Sequence, residues 1–215
     1  MTYKTTIKRS FYDNTERELI INPDFLQFED KNHKDNLYTI LKKEDISAYC
    51  YGIKWIRGFK FTIGRDYQIY IKSKENKILK INFKGFYGRN KEAHHEKFYE
   101  ILAHLWENYF SDFASIFIEK HNNNEPFSIG KLHFEQNGIT IENAAIIGNK
   151  KTFIPWGDIE TKNYFTYFAV FSIKNPSTIN QCYYYKDEWN TTLIYSVLRT
   201  ILKEKSNATH TRTKR

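Results

Sequence analysis

Residues 18–46 and 131–159 align without a gap at a constant offset of 113. The identical pairs are Leu19/Leu132, Glu29/Glu142, Asn36/Asn149, Thr39/Thr152, Asp45/Asp158 and Ile46/Ile159. Apolar character is also shared at Ile21/Phe134, Leu26/Ile139, Phe28/Ile141, Ile40/Phe153 and Leu41/Ile154. The second set constrains the fold more than the first. Alternation decides which face of a strand is buried, and a slip of one residue inverts that choice. Two segments that keep one alternation predict one supersecondary unit used twice. A chain of 215 residues is long enough to give each copy its own small core.

Each copy opens with a short strand, "ELIIN" or "KLHFE", and a turn, "PDF" or "QNG". A second strand follows, "LQFED" or "ITIEN", then a polar turn, "KNHKDN" or "AAIIGN". The third strand is "LYTIL" or "KTFIP", after which the Asp-Ile pair opens a fourth. Asp45 and Asp158 are expected to accept hydrogen bonds from turn amides, with Ile46 and Ile159 pointing inward. Further on, 67–83 resembles 167–185 as a hairpin with turn signals "KSKEN" and "KNPST". The first copy carries an extra run, "YGIKWIRGFKFTIG", with room for one further strand.

Both copies end in an amphipathic helix. The stripe is Phe98, Ile101, Leu102, Leu105 and Tyr109 in the first, and Leu193, Ile194, Val197, Leu198 and Ile201 in the second. Asp187 reads as the N-cap of the second. The first runs on through "SDFASIFIEK" until "HNNNEP" stops it. The aromatic content of 17% favours strands. Lys, Asn, Ile, Tyr and Phe are also the residues of A/T-rich codons, so the pattern carries the argument and composition does not.

The expected fold is mainly β (α+β). It comprises two tandem units, each an antiparallel bent sheet of about six or seven strands closed by one C-terminal amphipathic helix. The units are expected at 1–121 and 125–205, with 206–215 a disordered basic tail. "FSIGKLHFEQNGITIENAAIIGNKKTFIPWGDIE" resembles the segment typical of bacterial tandem pleckstrin-homology-like proteins, where a "dGi" turn and an "ipWxdI" strand recur before a terminal helix. Phe127, Gly130, Leu132, Gly138, Ile139, Pro155, Trp156, Asp158 and Ile159 carry the likeness. The first copy departs from it, with Lys42-Lys43 in place of Pro155-Trp156. The resemblance implies barrels of the pleckstrin-homology type. It also implies a binding role rather than an enzymatic one, since that fold hosts lipid, peptide and protein partners alike.

The formal charge is +8, but residues 203–215 hold Lys203, Lys205, Arg212, Lys214 and Arg215 against Glu204, so half the excess lies in the tail. Cys50 and Cys182 fall at non-equivalent places in the repeats and read as small apolar strand residues of a reducing compartment. The opening "MTYKTTIKRSF" has no apolar core of a leader, and the expected location is the cytoplasm.

No glycine-rich phosphate loop, nucleophile elbow or zinc spacing occurs, so no cofactor and no catalytic site are expected. Glu96, Glu100 and His104, with His94 and His95 beside them, share a helix side in the manner of metal ligands; a solvated face accounts for them without a metal, and no metal is expected. Two basic groups remain. Lys72, Lys74 and Lys77 crowd a hairpin turn. Lys54, Arg57 and Lys60 interleave with Trp55, Ile56 and Phe59, a mix suited to an anionic membrane interface or a nucleic acid. No nucleic-acid module signature accompanies them, and basic turns are ordinary in so lysine-rich a chain. The expected partner is a protein or peptide; the alternative is anionic lipid headgroups at the six basic residues.

Overall fold

The computed structural model describes residues 1–10, 12–30, 38–86, 91–144 and 149–212. Asn36 and the polar turns at 31–37 and 145–148 lie outside the described residues. Strands run Tyr3–Lys8 (β1), Glu16–Ile21 (β2), Phe25–Glu29 (β3), Tyr38–Lys42 (β4), Ile46–Arg57 (β5), Thr62–Ser73 (β6) and Ile78–Phe86 (β7). Helix Lys91–Leu105 (α1), a π turn at Trp106–Phe110 and helix Ser111–Asn122 (α2) follow. Then come Phe127–Ile129 (β8), Leu132–Glu135 (β9), Gly138–Ala144 (β10), Asn149–Pro155 (β11), Ile159–Asn163 (β12), Tyr167–Ser172 (β13), Asn180–Tyr184 (β14) and helix Thr191–Arg212 (α3). The fold is mainly β, in four antiparallel sheets ordered β1-β2-β3-β4, β5-β6-β7, β11-β10-β9-β8 and β12-β13-β14.

The chain divides into two compact units, Met1–Ser111 and Asp112–Arg215. Each holds one four-stranded sheet, one three-stranded sheet and a helix with a buried stripe. The expected boundary after residue 121 shifts because α2 packs within the second unit: Phe117 meets Phe127 of β8 with ring centroids 5.2 Å apart, and His121 meets Trp156.

The repeat is carried into the pairing. Ile21 pairs with Leu26 and Leu26 with Leu41 in the first unit. Phe134 pairs with Ile139 and Ile139 with Ile154 in the second, all at the offset of 113. Exposure repeats too. Leu26, Phe28, Leu41, Ile139, Ile141 and Ile154 are buried, while Ile40 and Phe153 both face out. A single 3-10 turn, Lys43–Asp45 or Trp156–Asp158, then feeds an inward isoleucine, Ile46 or Ile159. These pair with Ser73 and Ser172 respectively, so beyond this point the offset is 99.

The extra run of the first copy makes no additional strand. β5 and β6 are twelve residues each where β12 and β13 have five and six. Of its three glycines, Gly52 and Gly64 stay within the paired strands and Gly58 alone lies at the turn, so the hairpin lengthens instead of dividing.

Both helix stripes are buried as expected. In the first, Tyr49 stacks on Phe110 with centroids 3.6 Å apart, and Phe98 meets Tyr51, Tyr67 and Phe83. Three consecutive residues, Asn108, Tyr109 and Phe110, are buried in the π turn. An α-helix would spread them over more than half its circumference; the extra residue in a π turn reorients them inward. Asn108 donates to the His104 carbonyl at 2.8 Å, and the Tyr109 hydroxyl is shared between the carbonyls of Asn22 (2.5 Å) and Phe25 (2.7 Å) in the β2–β3 turn.

Two terminal expectations are corrected in the second unit. α3 begins at Thr191 rather than after Asp187: Asn190 takes the left-handed backbone conformation, φ +63°, and its carbonyl accepts the Ile194 amide at 2.9 Å. The tail expected to be disordered from 206 is helical to Arg212. Extending an existing helix gains one hydrogen bond per residue fixed and needs no apolar stripe. Residues 213–215 lie outside the description. Among the described residues no helix is long and apolar enough to cross a membrane.

Candidate functional site

The six basic residues singled out in the sequence do not form one site. Lys54, Arg57 and Lys60 lie at the β5–β6 end and Lys72, Lys74 and Lys77 at the β6–β7 end. Between them stands β6, twelve residues long, or as much as roughly 35–40 Å at the rise of a strand. Lys54 sits across from Asp66, which in turn sits across from Lys84, an alternation of charge along one row of the sheet. The Lys77 ammonium donates to the Ile40 carbonyl at 3.4 Å, and Lys72 is half-buried.

The helical Glu and His residues meet different surroundings. Glu96 and Glu100 are exposed, whereas His94 lies 6.0 Å from the Phe83 ring, His95 meets Tyr67 and Tyr99 and His104 stacks on Tyr3 at 4.0 Å. His133 faces outward, 2.8 Å from the Ser128 hydroxyl. Cys50 lies buried in β5 and Cys182 half-buried in β14.

The second unit builds a cleft of about 750 Å³. Its walls are the β9–β10 turn, the Trp156–Asp158 turn, the start of β12 and the far end of α3, through Asn137, Trp156, Thr161, Leu202 and Lys205. Trp156 is fixed from below. Its amide donates to the Asn137 carbonyl at 3.1 Å and its indole N–H to the Gln136 carbonyl at 2.9 Å. That grip depends on Gly138, the residue after the turn. A Cβ there would lie 2.2 Å from the Ile154 carbonyl oxygen, so only glycine lets β10 approach β11 this closely. The His121 ring stands edge-on to Trp156 at 5.3 Å, and the Lys205 ammonium lies 5.2 Å from the indole centroid. Partial burial, with Lys205 adding repulsion, lowers the His121 pKa, so neutral imidazole is favoured beside the indole. A side chain at Gly157 would meet nothing within 4 Å, which leaves that side of the cleft open.

β12 pairs with β13 and ends its sheet. The Ile173 amide donates to the Asp158 carbonyl at 2.9 Å. Alternation along an antiparallel ladder therefore turns Glu160 and Lys162 toward β13, and the N–H and C=O of Thr161 toward the outer edge. The Ile159 amide is already taken by the Trp156 carbonyl. Thr161 thus presents an unused donor–acceptor pair on the rim of an apolar-floored cleft.

At the equivalent positions of the first unit the residues differ. Lys43 stands where Trp156 does, Glu44 where Gly157 does and Phe25 where Gly138 does. The sequence signal for the cleft was the Pro155-Trp156-Gly157 run, which marks the fold resemblance without saying what the tryptophan floors. Leu202 and Lys205 carried no signal, because one was the last turn of a helix and the other the start of a charged tail. Compared with protein-family models, curated proteins and solved structures, the chain matches none.

Proposed function

We propose that the protein is a non-enzymatic cytoplasmic binding protein of two pleckstrin-homology-like units, the second of which captures an extended segment of a partner protein along β12. The carrying observation is the outward-facing backbone of Thr161 at the rim of the cleft floored by Trp156. A peptide strand added there gains main-chain hydrogen bonds at an edge, and its alternate side chains enter the neighbouring pocket. An apolar side chain fits between Trp156 and Leu202, and a carboxylate on the same segment lies within reach of Lys205. The sheet order within each unit, four strands, three strands and a helix, supports the pleckstrin-homology-like reading.

The test is selection of binders from a displayed library of random peptides against the full chain, followed by titration of the selected peptides. Thr161→Pro removes the edge donor while sparing the ladder to β13, because the Thr161 amide points away from it. Trp156→Ala removes the floor. Either substitution is expected to weaken the selected peptides by about tenfold or more, the scale of one lost hot-spot contact. Selected peptides that bind both variants as well as the parent chain, with both variants folded by far-UV circular dichroism, overturn the reading.

A further inference from the structure

The β5–β6 hairpin ends in the four residues Gly58–Phe61, closed by the Gly58 amide donating to the Phe61 carbonyl at 2.7 Å. Phe59 is 96% exposed and Phe61 71%. Single exposed apolar side chains are ordinary on a folded surface. Two phenylalanines on one four-residue tip, at the end of a hairpin longer than its counterpart, are a concentrated apolar patch that water covers at a cost. Their surroundings are cationic: Lys54, Arg57 and Lys60 are exposed, and no acidic residue occurs between Lys54 and Ile63. Behind the tip the Arg65 guanidinium lies 4.7 Å from the Trp55 ring centroid, so an amphipathic aromatic and a cation stand side by side one step further from the end.

Exposed rings at the extremity with cations around them suit a bilayer surface, where apolar side chains enter the headgroup–acyl boundary and cations meet anionic headgroups. The second unit repeats the theme without sequence similarity. Its shorter β12–β13 hairpin ends in Tyr164 and Phe165, 39% and 59% exposed, with the Lys162 ammonium 5.4 Å from the Tyr164 ring. We infer that the β5–β6 tip is a membrane-docking element, which seats Phe59 and Phe61 in the interface of an anionic bilayer while Arg57, Lys60 and Lys54 meet the lipid headgroups. A single strand of nucleic acid would also meet rings and cations, but stacked bases are served by a platform, and these rings project from a narrow tip. The surface belongs to the first unit and is independent of the peptide reading of the β12 cleft.

The test is co-sedimentation of the full chain with vesicles of phosphatidylcholine alone and of phosphatidylcholine mixed with phosphatidylserine. Retention is expected only on the anionic vesicles and is expected to fall with added salt. Phe59→Ser with Phe61→Ser, at positions too exposed to threaten folding, should lower retention by about tenfold or more through the lost apolar contact. Arg57→Gln with Lys60→Gln should lower it comparably and flatten its salt dependence. Lys72→Gln, Lys74→Gln and Lys77→Gln together, at the far end of β6, should leave it unchanged. Undiminished retention of the double Phe variant overturns the proposal, as does failure of the parent chain to sediment with anionic vesicles. Binding of a single-stranded oligonucleotide in place of vesicles, lost in the same Phe variant, would overturn it in favour of nucleic acid.

Discussion

The Asp158 carboxylate accepts the Ser172 hydroxyl at 2.6 Å and the Lys174 amide at 3.0 Å, and its own carbonyl accepts the Ile173 amide at 2.9 Å. The two bonds to the carboxylate, led by the one from Ser172, together with the Lys174 charge hold the carboxyl below its ordinary pKa. Asp45 occupies the same position in the first repeat and its carbonyl accepts the Lys74 amide at 2.7 Å, yet its side chain is exposed. The expectation that both carboxylates would tie down their turns therefore holds for the second only. The turns differ in their partners: the Ser73 hydroxyl, equivalent to Ser172 at the offset of 99, accepts the Lys77 amide at 3.1 Å, and Glu75 stands where the second repeat has Lys174. Asp158→Ala should lower the thermal midpoint of the second unit at neutral pH, whereas Asp45→Ala should change stability by no more than about 0.5 kcal/mol, as is usual on a surface. The sign in pH follows from linkage. A carboxyl with a folded pKa below its unfolded value of about 3.9 contributes fully above that value and loses its contribution as pH falls through the folded pKa. Asp158→Ala should accordingly flatten the acid limb of stability below about pH 4, measured by thermal unfolding across a pH series. An unchanged acid limb would show that the pairing with Ser172 contributes nothing to folding.

At the scale of elements, the π turn at Trp106–Phe110 joins the end of α1 to the β2–β3 turn through the Tyr109 hydroxyl. Both carbonyls it meets also take part in the turn's own pair of bonds, Asn22 N–H to Phe25 and Phe25 N–H to Asn22. Tyr109→Phe keeps the buried ring and leaves neither carbonyl unpaired, so it should cost only about 0.5–1.5 kcal/mol, the net worth of one hydrogen bond, read from denaturant unfolding of the parent and variant. A loss of several kcal/mol would mean that the hydroxyl organises the π turn itself. This turn also marks the limit of what could be read from the chain. The stripe from Phe98 to Tyr109 was legible because spacings of three and four name a face. The burial of Asn108 and Phe110 beside Tyr109 was not, because a change of helical pitch leaves no periodic trace. The register of β2, β3 and β4 was legible from alternation repeated at offset 113. The length of β5 and β6 was misjudged as an extra strand, since an apolar run shows that it is strand and leaves open where it turns. Of the β12 cleft only Trp156 stood out in sequence. Its partners come from two other places in the chain, His121 from α2 and Leu202 and Lys205 from α3, and their convergence is a tertiary fact.

At the scale of the whole molecule, two units with separate cores imply two separable losses of stability. The core of the first gathers Leu26, Phe28, Ile46, Tyr49 and Tyr67 under the α1 stripe; that of the second gathers Ile139, Ile141, Ile159, Phe168 and Tyr183 under the α3 stripe. Ile46 is 2% exposed and Ile159 6%, each at the first position of the strand that opens its three-stranded sheet. Truncating either to alanine removes three buried carbons from a packed interior and leaves a cavity, which costs roughly 2–5 kcal/mol. In a chain with one cooperative core such a loss would be felt everywhere. With two cores, hydrogen exchange followed by mass spectrometry should show Ile46→Ala hastening exchange in β2–β7 and leaving β9–β14 near their original rates, and Ile159→Ala should show the reverse. The calorimetric trace of either variant should then broaden or split, because a single two-state transition no longer describes the molecule. Uniform acceleration across both units in either variant would mean that they unfold as one, and that the repetition of register has been merged into a single cooperative body.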